Sequence, residues 1–292
     1  MREHEREFRI RAMCRVLGVG VSAYYAWRSR KPSARATANN RLVEKIKVLH
    51  AKSRGIYGSP KIYQQLRRDG EAVNHKRVEK LMKAHAIRAK RVKKFRLTTD
   101  SRHTLPVAEN VLARRFTAAH PNQVWTTDIT YIPTEEGWLY LTVFLDLYSR
   151  LVVGWAVSES LTTTMVEHAF VEAHTRRGTA VSPLVHSDRG CQFASTAFRK
   201  KLAAWNCSQS MSRKGNCWDN AVTESFFGSL KNELIHHERF RTRQQARDKI
   251  FDYIEVFYNR SRIYSAIDYF APVEYEARYY EAQREAQLKQ AA

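Results

Sequence analysis

The sequence predicts an α/β core built on one mixed β-sheet, with helical segments before and after it. Three observations support this prediction. Consecutive β-rich runs lie between residues 124 and 157, and alternating helix and strand patterns continue from there to residue 235. Helical periodicity dominates both ends of the 292-residue chain. A chain of this length with 43% hydrophobic residues is expected to form about two domains.

The first helical segment has the pattern of a helix-turn-helix. Two helical stretches within residues 9–28 are separated by Gly18 and Gly20, which favour a tight turn. We expect Ser22 to cap the second helix, because a serine side chain can accept a backbone hydrogen bond there. The sequence therefore predicts a helix-turn-helix segment at residues 1–35.

A second helical domain is predicted at residues 40–105. A polar linker is expected at residues 31–40, and apolar residues then recur at helical spacing within residues 42–49. Two shorter helices are predicted at 60–68 and 74–87. This arrangement is that of a second helix-turn-helix or winged-type domain.

The strands of the core follow one another directly. β-rich runs at residues 124–133 and 138–147 are separated by a hairpin signal at 134–137, and a third run covers residues 151–157. The pattern continues with a helix at 163–177, a strand at 183–187, a helix at 196–205, a strand at 208–211 and a helix at 218–235. The order βββαβαβα places a meander beside parallel crossovers, which is the ribonuclease H-like order. We assign this core to residues 115–240.

Residues 241–292 are predicted to be a helical extension. Pro272 is expected to begin a further helix. One apolar stripe is formed by Ala246, Ile250, Tyr253, Ile254, Phe257 and Tyr258. A stripe of this kind packs against another part of the protein.

The net charge of +21 is concentrated in the first part of the chain. Residues 1–120 hold 30 Lys and Arg against 9 Asp and Glu, whereas residues 121–292 hold 20 of each. The run at residues 88–96 has six cations in nine positions. Such an asymmetry is typical of a protein whose one part binds a phosphate backbone. No amphipathic apolar face accompanies the charge, so a membrane surface is not the expected partner.

The cysteines and the apolar segments exclude several other classes. Cys14, Cys191, Cys207 and Cys217 form no close pair and have no histidine pair at zinc-finger spacing, so we expect neither a disulfide framework nor a structural zinc. The longest apolar runs are shorter than a membrane helix requires, and the charged N-terminus has no apolar signal region. We therefore expect a cytoplasmic, nucleoid-associated protein.

Two aspartates stand where strands would bring them to one edge of the sheet. Asp128 interrupts the strand at 124–133, and a carboxylate in a central strand is unfavourable unless it is paired or binds a metal. Asp188 ends the strand at 183–187, where open α/β sheets place ligands, although a turn aspartate is an equally good interpretation of that position alone.

Glu224 is the third candidate carboxylate. On the predicted helix it shares one stripe with Asn220, Gly228 and Lys231, and this stripe differs from the apolar one. A lone helical glutamate usually faces solvent, but an amide, a glycine and a lysine beside it suit an approaching phosphate backbone. Phosphoryl transfer can use two divalent cations held by a few carboxylates, and Mg²⁺ prefers oxygen ligands.

Four other residues near these motifs have structural interpretations. Asp146 is the rival first carboxylate, since it also ends an apolar strand, but a turn or ion-pair role is sufficient there. His186 is interpreted as a packed strand residue. Trp125 and Trp218 are interpreted as core residues rather than as platforms on which bases stack.

Four sequence segments resemble the transposases of the insertion sequence 3 family, within the retroviral-type integrase catalytic domains. They are WTTDITYI (125–132), HSDRGCQF (186–193), RKGNCWDNAVTESFFGSLKNE (213–233) and PVEYE (272–276). The likeness covers nearly the whole chain, since segments 13–27 and 56–70 also resemble that family. The spacings of 35 residues between Asp188 and Glu224, and of six between Glu224 and Lys231, agree with it.

The resemblance implies a DNA transposase that nicks the ends of an insertion element and joins a 3′-hydroxyl to a DNA phosphodiester. It implies that Asp128, Asp188 and Glu224 form the catalytic triad. These three residues are expected to bind two Mg²⁺ ions, for which Mn²⁺ can substitute. Lys231 is implied as a contact to terminal DNA. Relatives commonly have His where this chain has Tyr264, so the role of that imidazole does not carry over.

The expected partner is double-stranded DNA, as terminal inverted repeats and as target, bound by a homo-oligomer because two ends must be processed together. Association or fusion with the product of an upstream reading frame is a further expectation. The other expected DNA contacts are Lys76, Arg77, Lys80, Arg88, Lys90, Arg91, Lys93, Lys94, Arg96, Arg189, Arg213, Lys214 and Asn220. The alternatives are a non-catalytic DNA-binding regulator, or a nuclease or resolvase on the same fold, which the triad alone does not exclude.

Overall fold

The computed structural model describes residues 1–90, 105–178, 181–214 and 216–291. Its centre is a five-stranded mixed sheet with the strand order β3-β2-β1-β4-β5. The first three strands form an antiparallel meander, and β4 and β5 are parallel to β1. The predicted α/β core with helical flanks is confirmed.

The first two helices enclose a tight turn. Helices α1 (Ile10–Val16) and α2 (Val21–Ser29) are separated by Gly18, whose φ of 64° lies in the left-handed region. Helix α2 begins two residues earlier than expected, with Gly20 at its N-cap position and no side-chain cap. The prediction that Ser22 caps α2 was therefore wrong, because Ser22 already lies in the first turn of the helix.

Three helices follow: α3 (Ala34–Lys52), α4 (Ser59–Arg68) and α5 (His75–Ala84). The expected polar linker is helical over most of its length, because Ser33 accepts a hydrogen bond from the Ala36 amide and starts α3 there. Asn74 caps α5 in the same way. The three helices pack on one another through apolar side chains, including Ile46, Ile62 and Val78.

The meander consists of β1 (Val124–Thr134), β2 (Gly137–Asp146) and β3 (Val152–Ser158). A two-residue turn joins β1 to β2, since Thr134 already pairs with Gly137. Strand β4 (Leu184–Ser187) pairs with β1 only over residues 124–126, and β5 (Ser208–Met211) pairs with β4. Strand β1 therefore extends well past the end of β4.

Helix α6 (Thr163–Arg177) crosses the sheet between β3 and β4, and it approaches β3 closely at Gly154. A short helix that the sequence did not predict, α7 (Cys191–Ala194), precedes α8 (Thr196–Ala204). The predicted helix at 218–235 is divided. A 3₁₀ turn (Cys217–Asn220) comes first, and α9 (Ala221–Glu233) follows it.

The last part of the chain contains α10 (Arg243–Phe251), which continues as a π-helical segment (Asp252–Tyr258), and α11 (Pro272–Ala291). The six members of the predicted apolar stripe are all buried. Pro272 begins α11 as expected. None of the helices in the described ranges is long and apolar enough to span a membrane.

The largest hydrophobic cluster extends from the N-terminal helices into the core. It joins Leu42 and Tyr57 to Phe226 of α9 and to Ile263 in the C-terminal segment. Tyr57 accepts a hydrogen bond from the Ile263 amide (2.8 Å) and donates one to the Ser261 carbonyl (3.1 Å). The helices of residues 34–84 thus pack directly on the part of the molecule that carries α9.

Candidate active site

Strand pairing brings Asp128 and Asp188 to the same level of the sheet. Thr126 pairs with His186 in the parallel ladder of β1 and β4, and the same register continued by two residues sets Asp128 beside Asp188. Asp128 accepts a hydrogen bond from the Ile129 amide (2.7 Å), and Asp188 accepts one from the Gly190 amide (2.8 Å). Both carboxylates lie where β4 ends and β1 continues.

Helix α9 brings Glu224 to this edge through two polar contacts with β1. Thr223 donates a hydrogen bond to the Thr126 hydroxyl (2.7 Å), and the Asn220 side chain donates one to the Thr127 carbonyl (3.1 Å). Thr223 and Asn220 are buried, so they fix the start of the helix against the strand. Glu224 follows Thr223 directly and is half-buried.

The three carboxylates interact electrostatically. Burial raises the pKa of Asp128 well above its usual range, and the charges of Asp188 and Glu224 raise it further. Burial and Asp188 also raise the pKa of Glu224. The structure therefore gathers Asp128, Asp188 and Glu224 within reach of one another's charge. In the ranges that are described, no three His, Cys, Asp or Glu side chains are grouped tightly enough to hold a metal ion.

Lys231 lies beside the same carboxylates. Its side chain is largely buried, at 9% exposure, and burial lowers its pKa to about 8, although the charge of Asp128 opposes that shift. Helical periodicity alone does not predict this burial, because it does not reveal that the helix face two turns beyond Glu224 meets β1 rather than solvent. Lys231 is the cation of the site.

Asp146 is the last residue of β2 and lies at the start of the turn that follows it. Its carboxylate accepts hydrogen bonds from the amides of Asn122, Tyr148 and Ser149 at 2.6 to 2.9 Å. These bonds account for its complete burial, as the turn interpretation predicted. His186 is also buried, between the hydroxyls of Ser210 and Ser212, as expected of a packed strand residue.

The loop before α9 is anchored by Asp219. This buried carboxylate accepts hydrogen bonds from Arg213, Arg114 and Asn110, and those from Arg213 lower its pKa. Arg213 keeps about half of its side chain exposed, at 55%. Arg189 is half-buried and donates to the Ser212 carbonyl (2.7 Å), and Lys214 is exposed. The positions of the two arginines are thus fixed by the protein.

Two tryptophans that were expected to be core residues differ in their burial. Trp125 is fully buried against Phe170 and His174, as predicted. Trp218 is 68% exposed, so its assignment to the core was wrong. The 3₁₀ turn is the reason, because it directs Asp219 and Asn220 inward and leaves Trp218 on the outside.

The basic residues of the N-terminal helices lie on α5 and beyond it. Lys76, Arg77 and Lys80 line a depression of about 310 Å³, in which Arg77 donates to the Asn39 side chain. Arg88 and Lys90 are exposed, and the Lys90 ammonium donates to the Glu233 carbonyl at the end of α9 (3.1 Å). The expected DNA contacts Arg91, Lys93, Lys94 and Arg96 lie outside the described residues.

Sequence reasoning missed the pair of Glu233 and Arg262. Arg262 donates two hydrogen bonds to the Glu233 carboxylate and one to the Ser229 hydroxyl, and it is 5% exposed. Tyr253 donates to the same carboxylate (2.8 Å). Arg262 lies close to Tyr264, and Tyr264 is the residue of this segment that the family resemblance singles out. Arg262 follows Ser261 and precedes Ile263, and this local context does not identify a partner 29 residues away.

Family models match both the core and the helices ahead of it. Residues 118–217 and 224–279 match family models described as integrase core domains, and residues 37–95 match a model described as an HTH-like domain. The solved HTLV-2 integrase catalytic core domain with magnesium, in a trimeric form, is 17% identical, with a TM-score of 0.42 over 55% of this chain and 99% of that chain. A simian T-cell lymphotropic virus intasome chain is 15% identical, with a TM-score of 0.43 over 75% of this chain and 70% of that one.

The protein is thus an integrase-core polynucleotidyl transferase with an HTH-like domain ahead of the core. The transposase InsF for insertion sequence IS3A of Escherichia coli K12 is 41% identical over 276 residues, which cover 94% of this chain and 96% of the relative. A 31 kDa protein of insertion element IS600 from Shigella sonnei is 40% identical over 92% of this chain and 99% of its own. The chain belongs to the insertion sequence 3 family of transposases, and its function is DNA transposition.

Proposed function

We propose that Asp128, Asp188 and Glu224 are the catalytic carboxylates of this transposase, for both nicking of element ends and strand transfer. The supporting observation is the position of Asp128, whose pKa both other carboxylates raise. Asp146 is the alternative first carboxylate, but it already accepts hydrogen bonds from three backbone amides in its turn. The reaction that fits is attack of water or a 3′-hydroxyl on a DNA phosphodiester.

The same three residues would hold the proposed cofactor, two Mg²⁺ ions, for which Mn²⁺ can substitute. They lie further apart in this structure than the ligands of one metal ion do, so a bound cation would draw them together. All their donors are carboxylate oxygens, which suit a hard cation. Their mutual repulsion raises the pKa of Asp128 and Glu224, and a cation between them removes that penalty. When bound, the metal supplies electrostatic stabilisation for the developing charge on the phosphate.

The protein's own groups position the reacting strand. Asn220 and Thr223 hold α9 against β1, so Glu224 stays opposite the two aspartates. Since Asn220 is buried in this role, we assign it to positioning rather than to direct DNA contact. Lys231 places a cation beside Asp128, where it can approach a phosphate at the end of the element.

DNA binding is proposed for the basic residues around the site and in the N-terminal helices. Arg189, Arg213 and Lys214 surround the loop that leads to α9. Lys76, Arg77, Lys80, Arg88 and Lys90 belong to the HTH-like domain, and the run from Arg91 to Arg96 continues it. We propose that this domain recognises the terminal inverted repeats and that the core engages target DNA.

Two protein partners are proposed besides DNA. A transposase acts on two DNA ends, which favours more than one active site, so we propose a homo-oligomer as the active form. An upstream-frame product, fused or associated, is proposed as a further component. The domain boundaries at residues 35, 105 and 240 stay predictions.

The test is nicking and joining of labelled terminal-repeat DNA by purified Asp128→Asn, Asp188→Asn and Glu224→Gln proteins. Each should lose both reactions in Mg²⁺ and Mn²⁺ and should keep end binding in Ca²⁺, whose looser coordination supports binding better than catalysis. Glu281→Gln, on an exposed acid of α11, is the matched control.

Substantial joining by any of the three variants, or activity that persists in chelator, would contradict the proposed site. Cutting without joining by the wild-type protein would instead identify a nuclease on this fold.

A further inference from the structure

The depression of about 310 Å³ in the HTH-like domain lies between α3 and α5. Helix α3 lines it with Arg35 and Asn39, which stand about one turn apart, and α5 lines it with Lys76, Arg77 and Lys80. We call it the α3–α5 depression. None of the described residues that line it is acidic, so it brings four positive charges together.

Arg77 is held in one position inside this depression. Its Nε and Nη2 both donate to the side-chain oxygen of Asn39, at 3.0 and 2.8 Å. Its backbone amide donates to the side-chain oxygen of Asn74 (2.8 Å). The two bonds to Asn39 occupy one edge of the guanidinium. The edge formed by Nη1 and the second N–H of Nη2 therefore remains as a pair of parallel donors with a fixed direction.

The α3–α5 depression offers hydrogen-bond donors rather than acceptors. Asn39 and Asn74 both line it, and each uses its side-chain oxygen for Arg77, which leaves the NH₂ groups of the two amides as donors. Arginine and lysine side chains have no acceptor at all. An occupant that matches this lining supplies only acceptor atoms and carries negative charge.

The four cations of the depression differ from other basic residues of these helices. Within the described ranges, none of the four forms an ion pair with a carboxylate. By contrast, Lys45 contacts Glu71, and Arg54 contacts Asp252 at 2.6 Å. The mutual repulsion of the four cations is thus left for an anion from outside the domain to relieve.

A backbone phosphate of DNA fits the depression better than the edge of a base. A phosphate is charged, accepts only, and protrudes from the duplex. The edge of a guanine can also accept two parallel bonds from an arginine, but base edges lie at the bottom of a groove about 8.5 Å deep. Arg77 lies back against α3 through its bonds to Asn39, so it does not extend from α5 as a side chain that reads bases must.

We propose that the α3–α5 depression binds one backbone phosphate of the terminal-repeat DNA. The free edge of Arg77 donates to two oxygens of this phosphate, and Arg35 supplies a second charge. Lys76 and Lys80, which are exposed, contact neighbouring phosphates. A phosphate held at a rigid guanidinium fixes the register of α5 on the duplex. The proposal rests on the assignment of terminal-repeat binding to the HTH-like domain.

The experiment uses the full-length protein and terminal-repeat duplexes in which one phosphate at a time is replaced by a neutral methylphosphonate. Affinity is measured in chelator, so failure of the proposed triad does not affect the readout. Arg77→Gln should bind the unmodified duplex roughly tenfold more weakly than the wild type. At one position where the wild type loses affinity to the methylphosphonate, Arg77→Gln should lose none.

Asn39→Asp is a second variant that keeps the local structure. A carboxylate at this position still accepts both bonds from Arg77 but neutralises its charge, so the variant should lose the same affinity and no thermal stability. Asn40→Asp is the matched control, because it makes the same charge change on the next residue of α3, which is exposed and does not line the depression. It should keep the wild-type response to every methylphosphonate.

Wild-type affinity of the folded Arg77→Gln and Asn39→Asp proteins would overturn the proposal. If Lys76→Gln with Lys80→Gln still weakened binding in that case, the HTH-like domain would keep its role in DNA binding and only the depression would lose its own. Indifference of Arg77→Gln to a guanine replaced by 7-deazaguanine, but to no methylphosphonate, would mean that Arg77 reads a base and would overturn the proposal as well.

Discussion

Arg262 holds the Glu233 carboxylate at the end of α9 through two hydrogen bonds, with Nη2 at 2.7 Å and Nε at 2.8 Å. The two residues come from different parts of the chain and are both nearly buried, at 5% and 11% side-chain exposure. Ser229 and Tyr253 bind the same pair. Helix α9 also carries Glu224 and Lys231. The contact between Arg262 and Glu233 therefore fixes the helix that brings both residues to the proposed site.

Removing one member of this pair should destabilise the protein strongly. Arg262→Met leaves the Glu233 carboxylate buried without its cation, and breaking a buried pair costs about 3 to 5 kcal/mol. The measurement is the free energy of unfolding in urea. Arg176→Met, which breaks a more exposed pair with Glu172, should cost at most about 1 kcal/mol. Equal losses in the two variants would show that the Arg262 pair has no special role.

Lys61 should make stability depend on pH. It lies over the Tyr57 ring, and burial and Arg262 lower its pKa to about 7, although Glu233 opposes this. A lysine in the unfolded chain has a pKa of about 10.4. Between these values the unfolded state binds more protons, so the free energy of unfolding should rise as the pH increases from 7.

Lys61→Met removes that titration. The variant should gain most over the wild type near pH 7, and the difference should shrink toward pH 9, as measured by urea unfolding at each pH. Lys200→Met, on an exposed residue of α8, should leave the pH dependence as it is in the wild type. A constant difference between Lys61→Met and wild type across this range would contradict the prediction.

Lys231→Met should impair strand joining while keeping the fold. The substitution preserves the apolar stem that α9 buries and removes only the ammonium beside Asp128. Lys231→Ala should in addition lower stability, because the stem is lost as well. The measurements are joining of pre-nicked ends and urea unfolding. Wild-type joining by the folded Lys231→Met protein would exclude a role for the charge.

Lys76 and Lys80 should contribute to the salt dependence of end binding. If each neutralises one phosphate, Lys76→Gln with Lys80→Gln should reduce the slope of log affinity against log salt by about 1.8. Binding of terminal-repeat DNA at several salt concentrations measures this. Lys289→Gln, near the end of α11, is the control. An unchanged slope in the double variant would place the DNA elsewhere on the domain.

Substituting alanine for two of the glycines should change the stability of the protein in opposite directions. A Cβ at Gly228 in α9 meets nothing within 4 Å, so Gly228→Ala should stabilise the protein by about 0.5 to 1 kcal/mol. A Cβ at Gly154 would lie 2.4 Å from the Ala169 carbonyl oxygen on α6, and relieving such a clash costs about 1 to 3 kcal/mol. Thermal unfolding of both variants tests the pair. A destabilised Gly228→Ala protein would argue against open space along α9.

The sequence predicted the sheet well because each strand carries a strong local signal. The β-rich residues around Asp128 and the short loop before Trp138 are visible without tertiary information. The division of the helix before α9 was not predictable, because it depends on Asp219 being drawn inward by Arg114, which is 105 residues away. The exposure of Trp218 follows from the same contact and was missed for the same reason.

Strand positions and a helix face point to the three candidate carboxylates, and the structure brings them within reach of one another's charge. The burial of Lys231 was missed, since helical periodicity does not reveal which face of α9 meets β1. The exposure of Tyr131 and Trp138 was missed as well. Aromatic residues in a strand are as typical of a buried face as of an exposed one, until the elements that cover the sheet are known.

The contact between Tyr57 and Ile263 joins residues that are 206 positions apart. At about 5 to 20 residues per second, a ribosome needs on the order of 10 to 40 s to make the intervening chain. Throughout that interval the nascent HTH-like domain lacks the surface on which Tyr57 is packed. The enzyme therefore completes its DNA-binding half only when synthesis is nearly finished, so a truncated translation product is left with an apolar face that chaperones and proteases can recognise.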